Sequence, residues 1–231
     1  MRVRTEVGQA VREEARFGAG FLRRHGLALA LVFFGVLLPL AGFGALVDEL
    51  REPEGFAFDV PLLEAARASA SPGRDAFFVA MALLGYQFGV VPIDAALVLL
   101  LAWRRRVREG LFALLATVGS ALLNLAAKPV FARDRPALWE SVVPEHNYSF
   151  PSGHAMGSMT LACVLVLLAW RTRARWPVLA AAAAFVVLVG MSRVYLGVHY
   201  PSDILAGWTA AVAWTVAVHV LVFHRGKQPD A

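Results

Sequence analysis

The chain has 231 residues, 58% of them hydrophobic and only 17% charged, a balance that excludes an ordinary soluble domain and predicts one integral membrane unit over residues 1–231. Its net charge is +5, but the basic residues stand in short clusters between apolar runs, which fits a membrane surface and argues against a nucleic-acid partner. Cys163 is the only cysteine, so an intrachain disulfide and a cysteine metal site are excluded.

Residues 1–25 mix arginines and acids with Val3, Val7, Val11, Phe17 and Phe21 at rough helical spacing. Such a leader suits a helix on the inner headgroups or a solvated cytoplasmic tail. It is too long and too mixed in charge for a typical cleaved signal, so the apolar run behind it is expected to be retained. A spanning helix needs about 20 mostly apolar residues, and six segments predict one: 27–47, 75–103, 110–127, 154–170, 176–194 and 201–223. After the first, Asp59 precedes Pro61, Leu62, Leu63, Ala65 and Ala66 and reads as the cap of a short helix ending before Ser71, Pro72 and Gly73. The second holds Gly85, Gly89 and Pro92, so a tilt or kink is expected there, and its Asp94 calls for a polar partner on a neighbouring helix. The predicted fold class is all-α, a six-transmembrane-helix bundle with a short extracytoplasmic amphipathic helix.

Orientation follows from arginine. Arg2, Arg4, Arg12, Arg16, Arg23 and Arg24 open the chain; Arg104, Arg105, Arg106 and Arg108 follow the second span, Arg171, Arg173 and Arg175 the fourth, and Arg225 and Lys227 the sixth. The positive-inside rule makes these faces cytoplasmic, with both termini inside and the loops after spans one, three and five outside.

Three polar strings fall on that outer face. Ionisable groups beside apolar spans are costly, so their clustering is a functional signal. The first, KPVFARDRP over residues 128–136, sets Lys128 and Arg135 at one end of the third span. Arginine's planar fork grips two phosphoryl oxygens and lysine acts as a point charge, although a basic patch for lipid headgroups would look the same. The second, PSGH over 151–154, places Ser152, Gly153 and His154 at a helix start, where free N–H groups bind anions and an imidazole can protonate a leaving oxygen. A capping serine with an incidental histidine is the plainer alternative. The third, SRVYLGVHYPSD over 192–203, supplies Arg193, His199 and, four residues on, Asp203. A carboxylate there can fix the imidazole tautomer and aim the other nitrogen at phosphorus, or the pair can be a satisfied interfacial contact. Arg133 and Asp134 read as a loop salt bridge with each other or as groups that tune the site, and His146 with Glu145 and Tyr148 as a solvated loop or a headgroup contact.

Together the strings match KX6RP, PSGH and SRX5HX3D without a substitution, through Lys128, Arg135 and Pro136, Pro151 to His154, and Ser192, Arg193, His199 and Asp203. In this region the chain resembles the type 2 phosphatidic acid phosphatase and haloperoxidase superfamily, its membrane lipid phosphatase branch. The resemblance covers residues 124–207, with looser matches at Phe58, Asp59 and Gly85. It implies that His199 attacks phosphorus, Asp203 supports it, His154 donates the proton, and Lys128, Arg135, Ser152, Gly153 and Arg193 hold the oxygens, with no metal and no cofactor. It further implies a bilayer-embedded lipid phosphate substrate: phosphatidic acid, phosphatidylglycerol phosphate or, favoured by an outer-face site in a bacterium, undecaprenyl diphosphate. A non-catalytic lipid-phosphate binder or transporter is the competing expectation. Oligomeric state is not encoded in these patterns.

Overall fold

The computed structural model of the chain describes residues 20, 21, 23, 25–141, 143 and 145–224. The helix or tail expected over residues 1–25 therefore falls largely outside the described residues. Within them the fold is all-helical: α1 (His25–Arg51), α2 (Asp59–Ala68), α3 (Pro72–Leu84), α4 (Val90–Trp103), α5 (Val107–Phe131), α6 (Gly153–Ala169), α7 (Arg175–Tyr195) and α8 (Pro201–His224). A π-helical turn over Phe33–Leu37 interrupts α1.

Four of these helices, α1, α5, α7 and α8, are long and apolar enough to cross a membrane, whereas α4 and α6 are apolar but shorter. The predicted second span is broken. A turn from Gly85 to Gly89 separates α3 from α4, where two glycines each weaken a helix by about 1 kcal/mol relative to alanine. Asp94, on α4, shares a cavity with Thr117, Ser120, Asn124 and Thr160. Its Oδ1 is buried without a hydrogen-bond partner among the described residues, so the expected polar pairing is absent. Apolar side chains such as Phe34, Leu37, Leu99, Leu122, Leu125 and Val187 remain exposed. Exposed apolar surface on this scale needs a nonpolar surrounding, and hydrocarbon supplies one. The chain is a multi-pass membrane protein.

The core lies between α4, α5, α6 and α8, where Leu101, Phe112, Ala113, Ala116, Val164 and Val218 pack together. Small residues let backbones approach without hydrophobic driving force from the lipid. At Gly207 the neighbour is the backbone where another helix begins: a Cβ there would lie 2.8 Å from Ser152 O and 3.1 Å from Met156 N. The backbone of α8 thus rests directly on the first turn of α6. Gly207→Leu is expected to push the two apart, lowering both the melting temperature in detergent and the activity by at least tenfold, since misplacing reacting groups by about 1 Å costs about 10²-fold. Wild-type melting and turnover in that variant would show that the contact carries no positional role.

Candidate active site

Local sequence sets four chain ends around one point. The C-terminal turn of α5 carries Lys128 and closes at Ala132, whose left-handed backbone (φ 45°) ends the helix. The loop that follows brings Arg133, Arg135 and Glu145. Ser152 caps α6, its hydroxyl accepting from Ala155 N at 3.4 Å, which places Gly153 and His154 in the first turn. Arg193 lies in the last turn of α7. Gly197 then adopts φ +68° with Trp139 packed so close that a Cβ would meet it at 2.5 Å. That turn needs glycine, and it swings His199 back over the bundle. Pro201 opens α8 and Asp203 sits in its first turn, favoured there by the helix dipole.

All eight residues singled out in the sequence, Lys128, Arg135, Ser152, Gly153, His154, Arg193, His199 and Asp203, meet at this end of the bundle. His199 is fully buried and its Nδ1 lies 3.3 Å from Asp203 Oδ2. Its Nε2 lies 3.1 Å from Arg135 Nη1. A guanidinium only donates, so Nε2 is the acceptor and the proton resides on Nδ1, facing the carboxylate. Burial, reinforced by Arg135 and Arg193, holds the His199 pKa well below the ordinary histidine value, and the imidazole is neutral at pH 7. Arg135 also donates to Val198 O at 2.5 Å and to Asn147 O at 2.7 Å. Lys128 and Arg135 both bond the Asn147 side chain, and Lys128 donates to Tyr148 O. The ring of Tyr86, from the turn before α4, lies 5.2 Å from that of His154 at a 40° tilt. Ser152 N donates to Asp203 O at 3.1 Å, joining the second string to the third.

Three side chains, Arg133, Asp59 and Glu145, lie away from the positions that the sequence favoured. Arg133 bonds no Asp134 carboxylate. Its Nη1 donates to Asp203 Oδ1 at 2.6 Å and Ser202 Oγ at 2.8 Å, its Nη2 to Asp59 Oδ2 at 2.8 Å, and its guanidinium stacks 4.0 Å from the Tyr200 ring. Asp59 makes no cap for α2. Its carboxylate accepts from Ser202 N at 2.9 Å and Ser202 Oγ at 2.5 Å. Glu145 likewise leaves the solvated loop assigned to it and enters the cationic cluster, bonding Arg135 at 2.6 Å and Arg193. For Arg133 the signal was its place inside the first polar string, which left a role in tuning the site open; nothing local marked Glu145.

A neutral imidazole with an aimed lone pair, backed by a carboxylate, beside three cations and a helix N-terminus, is equipped to receive a phosphoryl group and stabilise its equatorial charge. Comparison with known proteins gives the family. The family described as the PAP2 superfamily matches residues 109–227. Phosphatidylglycerophosphatase B of Bacillus subtilis strain 168 is 32% identical over 159 residues, covering 65% of this chain and 76% of that protein. An undecaprenyl-diphosphatase of Sulfolobus acidocaldarius is 31% identical over 163 residues, 67% of this chain and 74% of that protein. The crystal structure of a transmembrane PAP2-type phosphatidylglycerolphosphate phosphatase from Bacillus subtilis superposes with a TM-score of 0.76 at 25% identity, covering 85% of this chain and 100% of that one. With more than half its length inside the family match and phosphatases as its relatives, the chain belongs to the PAP2 superfamily and is a phosphatase.

Proposed function

We propose that this phosphatase hydrolyses a lipid phosphate or diphosphate at the outer face of a bacterial membrane, without metal, through a phosphohistidine on His199. The observation that carries the reading is the convergence of His199 Nε2, Arg135, Arg193 and His154 around one anionic group, the Glu145 carboxylate, with Asp203 Oδ2 3.3 Å behind His199 Nδ1. In the first step His199 Nε2 attacks phosphorus and the bond to the leaving oxygen breaks, while His154 gives that oxygen a proton. Asp203 steadies the charge that His199 acquires. In the second step water attacks the phosphohistidine, His154 takes the proton, and phosphate and free His199 result. Lys128, Arg135, Arg193 and the Ser152–Gly153 end of α6 hold the oxygens throughout.

The arginine clusters support an orientation with the termini inside and this site outside, in which α3–α4 and α6 would complete a six-span bundle around the four long helices. A groove of about 310 Å³ lined by Val36, Phe43, Leu123, Phe131, Pro151 and Met156 adjoins the start of α6 and suits an acyl or prenyl tail arriving sideways from the bilayer. The named activities of the relatives, on phosphatidylglycerophosphate and on undecaprenyl diphosphate, keep both substrates open alongside phosphatidic acid.

The deciding experiment is phosphate release from these three lipids in detergent, with and without EDTA. Turnover of at least one, undiminished by the chelator and accompanied by acid-labile phosphate on the protein after rapid quench, is the expected result. Binding of the lipids with no release would establish a receptor, and loss of turnover in EDTA would remove the metal-free mechanism.

A further inference from the structure

Glu145 belongs to the loop between α5 and α6, and its side chain turns inward onto the cationic cluster. One carboxylate oxygen accepts from Arg193 and stands 4.0 Å from His154 Nδ1. The other accepts from Arg135 at 2.6 Å and stands 4.0 Å from His199 Nε2. These are the same four groups that bind and transfer a phosphoryl group in the mechanism above. A carboxylate and a phosphate cannot hold the same donors, so their occupancies exclude one another.

We propose that Glu145 is an internal counter-anion that fills the phosphate seat between turnovers and thereby sets how tightly the enzyme holds substrate and product phosphate, an inference that rests on the phosphate-site reading. Arg193 is 1% exposed, and a buried guanidinium with no anion beside it is strongly unfavourable. Burial alone would raise the Glu145 carboxyl, but the charges of Arg193 above all, with Arg135 and Lys128, more than offset this and keep it below the usual range. It is therefore an anion at neutral pH. A cavity of about 530 Å³ lined by Asp134, Arg135, Glu145, His146, Asn147 and Tyr148 lies beside the same carboxylate. Rotation into that space would vacate the seat with the helices in place.

Charge decides the exchange. A terminal phosphate carries up to two negative charges against one on Glu145, so a phosphomonoester or diphosphate end displaces the carboxylate with a gain in neutralisation. A phosphodiester carries one charge and gains none, which makes Glu145 a selector for terminal phosphates. After hydrolysis its return neutralises the arginines as phosphate departs. Any state in which the seat is already filled lowers apparent affinity in proportion to its population.

The test compares wild type with Glu145→Gln, which keeps the shape and removes the charge. Inhibition by orthophosphate and the KM for a lipid phosphate should both tighten about tenfold or more, and added orthophosphate should raise the melting temperature further in the variant than in wild type. The thermal shift reads phosphate binding even if turnover is impaired. Unchanged or weaker phosphate binding in Glu145→Gln, with or without loss of activity, overturns the proposal. Arg193→Gln serves as the separate check on the site itself: if that variant binds orthophosphate as well as wild type, the phosphate-site reading falls, whatever Glu145 does.

Discussion

The His199→Ala variant is expected to lose turnover by a factor of about 10⁴ to 10⁶, the range seen when a covalent nucleophile is removed from a preorganised site. The cations and the α6 N-terminus survive the change, so KM for the lipid should move little while kcat collapses. Rapid-quench labelling should find no phosphoprotein. The same residue governs the acid limb of the pH profile. Burial and the flanking Arg135 and Arg193 depress its pKa, and only the neutral form can attack. Activity therefore persists as pH falls through 6.5 and declines only near the lower folded value, which kcat/KM measured from pH 4 to 8 will display. The stability sign is consistent: the unfolded imidazole protonates below about 6.5 while the folded one resists, so this group costs stability as pH falls across that window. An acid limb at or above 6.5, or a substantial residual rate in His199→Ala, would move the nucleophile elsewhere.

The second large effect is expected at Arg133, which touches no reacting atom and acts through Asp203. Arg133→Ala strips a guanidinium from two buried carboxylates, Asp203 and Asp59, and breaking a buried charge pair in this way costs about 3–5 kcal/mol. With Asp203 free to turn, His199 loses its orientation, and kcat should fall about 10²–10³-fold with KM nearly constant. A merely structural arginine would leave the pH profile alone. Here Asp203, relieved of its cation, stabilises imidazolium more strongly, and the acid limb should shift upward. Arg133→Lys keeps charge but loses the fork that reaches Ser202, Asp203 and Asp59 together, so it should recover only part of the rate. Asp59→Asn should add less than its separate effect in the Arg133→Ala background. Full additivity, or an unmoved pH profile, would contradict the positioning role.

Helical class and the convergence of the candidate histidines and cations were legible because each of these residues lies in a short string whose spacing is local: four residues from His199 to Asp203, seven from Lys128 to Arg135. Helix starts and turns then brought the strings together without further information. The support behind them was illegible for the opposite reason. Asp59 and Arg133 stand 74 residues apart, and an acid before a short apolar helix has the same sequence signature whether it caps that helix or crosses to another. Glu145 lay among polar neighbours that read as solvated, and only the folded loop shows three cations drawing it inward. The second span was half readable. Its glycines marked a weakness, but whether they kink one helix or divide it into α3 and α4 depends on packing against α7 and α6, which composition does not record.

Asp59 sits on α2, a ten-residue helix distinct from the long apolar ones, yet it is the far anchor of the chain of contacts that runs through Arg133 and Asp203 to His199. On the mechanism proposed above, activity is thus tethered to a short helix outside the four long spans, with Val60 and Leu62 exposed to whatever surrounds the protein. A preparation could keep its full circular dichroism and its elution volume and still be inert, and exchange back into a milder micelle or a nanodisc should then restore it.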